Sequence, residues 1–342
     1  MPVPSLILGN SNKRFSGVTS TMLQTLPFVQ QEMPLTVMGP HHLPEGTSVI
    51  SFRELVHLQD GQTRLFHARR NDEMIQALAA RKLGARLKII FTSTAQRNHT
   101  RLTKWLIRQM DAIVTTCSAA ESYLEEKADV VIPHGIDLTR YQMPDDKKAA
   151  WQALGFPGEY GIGIFGRVRP QKGIDLLVDA ALPILQENPD PTVVIVGETT
   201  PKFRSYQKSL EQKISAAGLS KRFIFHGNRP SSELPGLFQG MSVVAALSRN
   251  EGFGLTVLEA MATGNAVLAS HAGAWSDIIE EGVHGFTVPC DDAEKTKIAL
   301  KGLLAQNLEQ LGKNGRSHVE KHYTVQREAR QLTDFYRTVL RD

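Results

Sequence analysis

Two glutamates on either side of a glycine-rich segment have the residue type and spacing that suit a nucleotide sugar. The segment reads EGFGLTVLE; it opens with Glu251, continues through Gly252, Phe253 and Gly254, and closes with Glu259. Its glycines predict a tight turn before a helix, and the positive end of that helix favours a diphosphate. We expect the carboxylates to accept hydrogen bonds from a sugar on one side and a ribose on the other. Taken alone, the pattern is also typical of a surface loop with two solvated glutamates.

A second segment, GIGIFGRVRPQKG at residues 161–173, predicts a buried strand that ends at Gly166 and a loop that carries three cations. Ligands of open α/β sheets bind at the carboxyl ends of strands, where Arg167 and Lys172 would suit a pyrophosphate leaving group. Arg169 is expected to be a solvated loop charge. The glycines also spell GxGxxG, but the first two lie within the strand and a proline follows, which argues against a dinucleotide site.

Residues 160–290 resemble the donor-binding half of retaining GT-B glycosyltransferases of family four. The motifs follow that family's order: GRVRPQKG, VVIVG at 193–197, HGNRPSSELPGLF at 226–238, VVAALSRNEGFG, EAMATGNAVLAS and GFTVP. The resemblance implies that Arg167 and Lys172 hold the donor diphosphate, and that Glu259 binds the ribose. It further implies that Glu251 contacts hydroxyls of the transferred sugar. The backbone amides implied to cradle phosphate are those of Gly254, Leu255 and Thr256.

The 342-residue length predicts two α/β domains of about 150 residues each. Apolar runs alternate with helical patterns, which is typical of βαβ units and a parallel sheet. The runs in the first half are at residues 6–9, 35–39, 64–68, 87–92, 112–116 and 130–135. The resemblance implies a GT-B fold, with two Rossmann-like domains facing each other across a cleft.

We expect an acceptor-binding domain at 1–145, a nucleotide-sugar-binding domain at 146–322 and a C-terminal segment at 323–342. A final helix near 325–340, with Phe335, Tyr336 and Leu340 on its apolar side, is expected to cross back to the first domain; packing on the second domain is the alternative. Cys117 and Cys290 are expected to be free thiols. The opening residues PVPSLILGN lack a basic segment and predict a first strand of a cytoplasmic protein instead of a signal peptide.

Three loops of the first half are candidates for acceptor or donor contacts. In Ser11–Ser20, Gly17 corresponds to a family glycine that lets the backbone approach the donor phosphate, and a tight turn without a ligand is the alternative. The segment FHARRNDEM places His67, Arg69, Arg70 and Asn71 at the cleft edge, where adjacent guanidinium groups favour oxyanions.

The third loop departs from the family, which usually carries a histidine near the end of the strand LKIIFTS. Here Thr92, Ser93 and Thr94 stand at that point and His99 follows later, so the pattern argues against a catalytic histidine. We assign His99 a minor acceptor contact.

The region from Arg64 to Arg108 contains eleven Lys or Arg residues against Asp72 and Glu73, a local balance of +9 that favours anionic partners. Within it, RNHTRLTKWLIRQM at 97–110 predicts a basic amphipathic helix. Its apolar residues are Leu102, Trp105, Leu106 and Met110. The helix either lies on a membrane or packs in the core, and nucleic-acid binding is disfavoured because no stacking platform accompanies it.

The arginine pair and the Ala-Trp in HAGAWSD most resemble bacterial lipopolysaccharide core mannosyltransferases. This resemblance implies transfer of mannose from GDP-mannose to the Kdo sugar of an anionic glycolipid acceptor, with retention, at the inner face of the cytoplasmic membrane. We expect no metal, because no Asp-x-Asp motif is present, and no cofactor. The alternatives are a UDP- or ADP-hexose with another anionic acceptor, or a non-catalytic nucleotide-sugar-binding protein.

Overall fold

The chain divides into two compact units in the computed structural model, which describes residues 4–14, 16–58 and 61–341. The first unit comprises Met1–Gly135 and Thr324–Asp342, and the second comprises Ile136–Tyr323. Residues 1–3 of the opening segment, Phe15 in the predicted loop 11–20, residues 59–60 and residue 342 of the predicted C-terminal segment lie outside the described residues.

A seven-stranded parallel sheet forms the centre of the first unit, with the order β3-β2-β1-β4-β5-β6-β7. Its strands are β1 Leu6–Gly9, β2 Leu35–Met38, β3 Val49–Ile50, β4 Arg64–Ala68, β5 Leu87–Ser93, β6 Ala112–Thr115 and β7 Val130–Val131. The six predicted strands are thereby confirmed. Strand β3 was not predicted, because two residues are too few to show a hydrophobic pattern.

Helices flank this sheet and bury its apolar runs. They are α1 Gly17–Glu32, α2 Phe52–His57, α3 Asn71–Lys82, α4 Arg101–Ile107, α5 Ser118–Glu121 and, at the end of the chain, α14 Val325–Arg341. The side chains of Leu332, Tyr336 and Val339 on α14 are buried in the same core as Leu26 of α1 and Leu65 of β4. The last helix is therefore part of the first unit's hydrophobic core.

The second unit contains a six-stranded parallel sheet with the order β10-β9-β8-β11-β12-β13. Its strands are β8 Tyr160–Phe165, β9 Pro191–Val196, β10 Phe223–Gly227, β11 Met241–Ala246, β12 Ala266–Ser270 and β13 Gly285–Val288. Its helices are α6 Lys147–Ala153, α7 Ile174–Glu187, α8 Arg204–Ala216, α9 Leu234–Gly240, α10 Thr256–Ala262, α11 Trp275–Ile278, α12 Ala293–Leu304 and α13 Leu308–His322.

The first two glycines of the GxGxxG pattern, Gly161 and Gly163, are packing positions within β8. A Cβ on Gly161 would lie 2.4 Å from the Trp151 ring and 2.6 Å from Met241 Sδ, and Gly163 is similarly close to Met241. A side chain at either position would displace buried neighbours. These glycines therefore serve the contact between β8, α6 and β11, and they lie within the strand as predicted.

The predicted amphipathic helix at 97–110 is shorter and packs differently than expected. Helix α4 spans only Arg101–Ile107, because Thr100 caps its amino end by accepting a hydrogen bond from a backbone N–H. Leu106 is fully buried, whereas Leu102 and Trp105 are each 54% exposed. The predicted apolar face is thus divided between the core and the surface. Within the described ranges, no helix combines the length and apolarity needed to cross a bilayer.

Candidate functional site

Two glycines with positive φ bring the cationic loop after β8 against the end of β11. Gly166 has φ +136°, and a Cβ there would lie 3.2 Å from Lys172 Cε, so the lysine stem packs over it. Lys172 ends the 3₁₀ turn Pro170–Lys172, and Gly173 follows with φ +65°. A Cβ on Gly173 would lie 2.1 Å from the Leu247 carbonyl oxygen. Only glycine allows this approach, which fixes where the lysine ammonium lies.

Lys172 and Glu251, predicted from separate motifs, form an ion pair. Lys172 Nζ lies 2.5 Å from Glu251 Oε2, and the two side chains are 18% and 23% exposed. Ser248 Oγ also donates to Glu251 Oε2 at 3.3 Å, and the Gly252 N–H donates to Oε1 at 3.3 Å. Arg167 is exposed on the same loop and has no ion-pair partner among the described residues. The site therefore presents a carboxylate and two cations at the carboxyl end of the sheet.

Trp275 holds the glycine-rich turn in place. Its indole Nε1–H donates to the Gly254 carbonyl at 2.8 Å, and the side chain is 1% exposed. Gly254 has φ +84°, and a Cβ there would lie 2.4 Å from the indole nitrogen. Leu255 and Thr256 follow at the start of α10. The first N–H groups of a helix have no intrahelical acceptor, so this end of α10 offers donors to an anion.

Glu259 is held by a tyrosine that the sequence analysis did not identify. The Tyr141 hydroxyl donates to Glu259 Oε1 at 2.7 Å, and Tyr141 is 2% exposed. Burial raises the pKa of Glu259, while the Tyr141 hydrogen bond and the Arg140 charge oppose that rise. Burial and the neighbouring carboxylate raise the pKa of Tyr141, so the phenol stays protonated as the donor. Nothing in the local pattern around Tyr141 indicates this role, because its partner lies over a hundred positions away.

The side chains of Lys147 and Arg316 also hold the opposite end of α10. Lys147 Nζ donates to the Thr263 carbonyl at 2.8 Å, and Arg316 Nη1 donates to the Ala262 carbonyl at 2.7 Å. Positive charge near the carboxyl end of a helix is favourable because it satisfies the last carbonyls and the dipole. Burial lowers the pKa of Lys147 to about 7.

An ion-pair network missed by the sequence analysis joins the two loops of the donor-side site. Arg249 Nη2 lies 2.7 Å from Asp175 Oδ2 and 2.6 Å from Asp291 Oδ1. The Tyr206 hydroxyl donates to Asp175 at 2.8 Å. Burial disfavours ionisation of Asp175, but hydrogen bonds from Arg249 and Tyr206 outweigh it and lower the pKa. The Arg249 N–H donates to the Gln171 carbonyl at 2.8 Å, so the loop of Lys172 is tied to that of Glu251.

In the first unit, the fully buried Glu73 connects the loops after β1 and β4. It accepts hydrogen bonds from the Arg69 N–H at 2.7 Å and from Arg70 Nη1 at 2.9 Å. It also accepts from the N–H and hydroxyl of Ser11 at 3.3 and 3.2 Å. Gly9 is essential to this arrangement, because a Cβ there would lie 2.9 Å from Glu73 Oε2. The carboxylate therefore sets the positions of both predicted ligand loops.

The sequence predicts that the Arg70 guanidinium contacts an acceptor, but in the structure it is bonded to other side chains of the protein. Besides Glu73, Arg70 donates through Nη2 to Ser16 Oγ and Thr19 Oγ1, both at 3.0 Å. Ser16 caps α1, and Gly17 is its exposed first residue. A Cβ on Gly17 would meet no atom within 4 Å, so space for a ligand exists there. Arg70 thus holds the start of α1 in place.

His67 is also placed differently from the prediction. Its side chain is fully buried; Nδ1 lies 2.6 Å from the Tyr336 hydroxyl, and Nε2 lies 2.6 Å from Thr92 Oγ1. Burial, and to a lesser extent the charge of Arg69, lowers the pKa of His67 well below its ordinary value. Alternation along β4 directs this ring towards α14, so His67 belongs to the core and does not contact an acceptor at the edge.

The remaining predicted acceptor residues share one pocket of about 460 Å³, the Arg69 pocket, at the carboxyl ends of β4 and β5. Its polar lining consists of Arg69, Arg70, Asn71, Thr92, Ser93, Thr94, Arg97, Asn98, His99, Thr100 and Thr103. Arg69 Nη1 is buried without a hydrogen-bond partner among the described residues. His99 Nε2 lies 3.3 Å from Ser93 Oγ, and burial together with Arg97 and Lys104 lowers its pKa. The pocket therefore presents the positive charges of Arg69 and Arg97 to an anion.

The match to a known protein family falls within the second unit. Residues 146–318 match the model of the family described as glycosyl transferases group 1. The chain is 38% identical over 345 residues to the lipopolysaccharide core biosynthesis mannosyltransferase LpcC of Rhizobium leguminosarum bv. viciae, covering 98% of this chain and 97% of that protein. It is 37% identical over 348 residues to LpsB of the same description from Rhizobium meliloti (strain 1021), covering 98% of each. The crystal structure of Anabaena Alr3699/HepE with UDP has a TM-score of 0.82 at 21% identity, over 98% of this chain and all of that one.

Proposed function

Because the chain belongs to the group 1 glycosyltransferases and has the GT-B fold, we propose that it transfers mannose from GDP-mannose to the Kdo sugar of a lipid A or lipopolysaccharide core acceptor. The observation that carries the proposal is the Lys172–Glu251 pair, 2.5 Å apart beside the start of α10. Two relatives named as lipopolysaccharide core mannosyltransferases support the choice of sugar and acceptor. In this proposal the second unit binds the donor and the first binds the acceptor.

In the proposed donor site, the cations bind the diphosphate and the carboxylates bind hydroxyls. Lys172, Arg167 and the first N–H groups of α10 would neutralise the diphosphate, whose charge grows as it leaves. A bound diphosphate competes with Glu251 for the ammonium, which frees the carboxylate to accept hydrogen bonds from sugar hydroxyls. Glu259, oriented by Tyr141, would accept from the ribose.

The proposed reaction breaks the bond between the anomeric carbon and the diphosphate oxygen and forms one to an acceptor hydroxyl. The configuration of the anomeric carbon is retained. The departing phosphate oxygen takes the proton of the acceptor hydroxyl, so no side-chain base is assigned. The chain's own cations stabilise the leaving group, and the proposal includes no metal and no cofactor.

For the acceptor, the Arg69 pocket offers the chemistry that a Kdo carboxylate requires. The Arg69 side chain lines the pocket, and a carboxylate would accept charge-assisted hydrogen bonds from its guanidinium. Arg97 and His99 line the same pocket, and Arg97 adds positive charge. An anionic sugar is therefore favoured over a neutral one at this position.

The donor assignment is tested by thermal stabilisation with GDP, UDP, ADP and their hexose conjugates. A ligand at 100 times its Kd should add about 2.7 kcal/mol to the free energy of unfolding. We expect this stabilisation with GDP and GDP-mannose, and none with free mannose at the same concentration. Selective stabilisation by UDP or ADP would keep the reaction but overturn the donor. A protein that responds to no nucleotide would contradict the donor site itself.

We also propose that α4 attaches the enzyme to the inner face of the cytoplasmic membrane, where a glycolipid acceptor would be met. Leu102 and Trp105 are each 54% exposed, and Arg101 on the same helix is exposed. Exposed apolar side chains beside cations are typical of helices that lie at anionic lipid surfaces. Isolated exposed apolar residues are common, but two on one turn of a basic helix are a specific combination.

Replacing both side chains, Leu102→Ser and Trp105→Ser, should lower partitioning onto phosphatidylglycerol vesicles by at least about tenfold, because their apolar surface no longer enters the interface. Sedimentation with vesicles measures the effect. Ile298→Ser, at a site on α12 that is 68% exposed, is the matched control and should change nothing. Equal binding by the α4 double variant and the wild type would refute this attachment.

A further inference from the structure

A second pocket lies beside the Arg69 pocket and is not used by the function proposed above. Its volume is about 240 Å³, and it is formed by α4, the start of β6 and the segment 123–129. Its apolar lining includes Ile107, Ile113 and Leu124. His99 lines both pockets, so the two share a wall. A molecule bound in one would have its next substituent within reach of the other.

The rim of this second pocket carries two cations that share a single carboxylate. Lys104 Nζ lies 3.0 Å from Glu125 Oε1, and Arg108 Nη2 lies 2.8 Å from Glu125 Oε2. The side chain of Lys104 is 37% exposed, that of Arg108 is 64% exposed and that of Glu125 is 39% exposed. Exposed ion pairs of this kind contribute little to stability, so a stronger anion can replace the carboxylate. A phosphomonoester carries up to two negative charges and three acceptor oxygens, which suits two neighbouring cations.

Two other carboxylates of the pocket are bonded to the backbone, and Glu126 lines the pocket beside Lys127. Asp111 accepts from the Ile89 N–H at 2.7 Å and pairs with Arg81 at 2.9 Å. Asp129 accepts from the Ile113 N–H at 2.7 Å. These bonds hold Asp111 and Asp129 against the backbone, and Glu125 is the carboxylate that pairs with both Lys104 and Arg108.

We propose that this second pocket, the phosphate pocket, is an acceptor subsite that binds a phosphomonoester on the glycolipid next to the sugar held by the Arg69 pocket. Lys104 and Arg108 exchange Glu125 for the phosphate when the acceptor binds. The inference rests on the proposed function, which it deepens by adding a phosphate to the acceptor chemistry that the enzyme recognises.

The test compares one Kdo-lipid acceptor before and after phosphatase treatment, in neutral detergent micelles that contain no anionic lipid. Lys104→Gln and Arg108→Gln should each raise the KM of the phosphorylated acceptor by about tenfold, because a charge-assisted bond is lost. Neither should change the KM of the dephosphorylated acceptor or of the donor. Lys82→Gln, at the exposed end of α3 outside the pocket, is the matched control and should leave every KM unchanged.

Glu125→Gln gives the sharpest result, because it removes the competing carboxylate and should lower the KM of the phosphorylated acceptor several-fold. A variant that merely disturbs the local structure would raise that KM instead. An active enzyme that does not distinguish the two acceptors would overturn the phosphate pocket and leave the proposed function standing. Loss of binding to phosphatidylglycerol vesicles without a change in acceptor KM would assign the cations to lipid headgroups and also overturn it. A wild type inactive on both acceptors would overturn the proposed function and this inference together.

Discussion

Lys172→Gln should lower kcat by about 10²–10³-fold, because the ammonium is placed to stabilise charge on the leaving diphosphate. The loss should appear in kcat more than in the donor KM, since the leaving group carries more charge in the transition state than in the bound donor. The fold should survive, because the pair with Glu251 is partly exposed and water can solvate the carboxylate that remains. Steady-state kinetics with a saturating acceptor, alongside a urea unfolding curve, measure both effects.

The matched control for this variant is Lys148→Gln, which removes a lysine of the same unit. Lys148 pairs with Glu159 at 3.2 Å, and their side chains are 66% and 61% exposed. Its kcat should equal that of the wild type. If Lys172→Gln retained normal kcat, the ammonium would have no part in the reaction and the donor site would have to be sought elsewhere.

Arg70→Ala should reduce the free energy of unfolding by about 3–5 kcal/mol, because it leaves the buried carboxylate of Glu73 without its cation. The Glu73 side chain is 0% exposed and that of Arg70 is 16% exposed. Ser16 and Thr19 lose a donor in the same substitution. Urea unfolding followed by circular dichroism measures the loss. Combining Arg70→Met with Glu73→Gln should restore much of the stability, because the uncompensated charge is then absent.

The neighbouring Arg69→Ala provides the contrast, since Arg69 lines the Arg69 pocket and bonds Glu73 only through its backbone N–H. We expect at least a tenfold rise in the acceptor KM, little change in the donor KM and a smaller loss of stability than in Arg70→Ala. A stable Arg70→Ala variant with a raised acceptor KM would refute the assignment of Arg69 to acceptor binding and of Arg70 to stability. Arg70 would then contact the acceptor, as the sequence alone suggested.

Much of the fold can be predicted from this sequence, because strands of parallel sheets are buried on both faces and appear as continuous apolar runs. The run at β1 and the segment VVIV of β9 are of this kind. The donor-side motifs can also be located, because they need glycines with positive φ at fixed places. Gly166 stands immediately before a cation, and Gly254 stands immediately before the start of α10. Local backbone requirements of this kind leave a visible mark in the sequence.

The partners of individual side chains could not be predicted, because they come from distant parts of the chain. His67 is 269 positions from Tyr336, and Tyr141 is 118 positions from Glu259. Two adjacent arginines look equivalent in the sequence, yet Glu73 and the cap of α1 engage only the guanidinium of Arg70. Whether a charged residue is structural or ligand-binding depends on such tertiary contacts.

The arrangement around Glu73 also constrains how this part of the enzyme can evolve. Gly9 leaves the space that the Glu73 carboxylate fills, and Arg70 supplies the opposite charge. Ser11, in the adjoining loop, donates a hydrogen bond to the same carboxylate. A substitution at any one of these residues removes a contact that the others need. Single substitutions are therefore expected to be selected against, and replacements at these positions are expected to occur together. The acceptor preference can meanwhile diverge through residues such as Arg97 that line the pocket but take no part in this group.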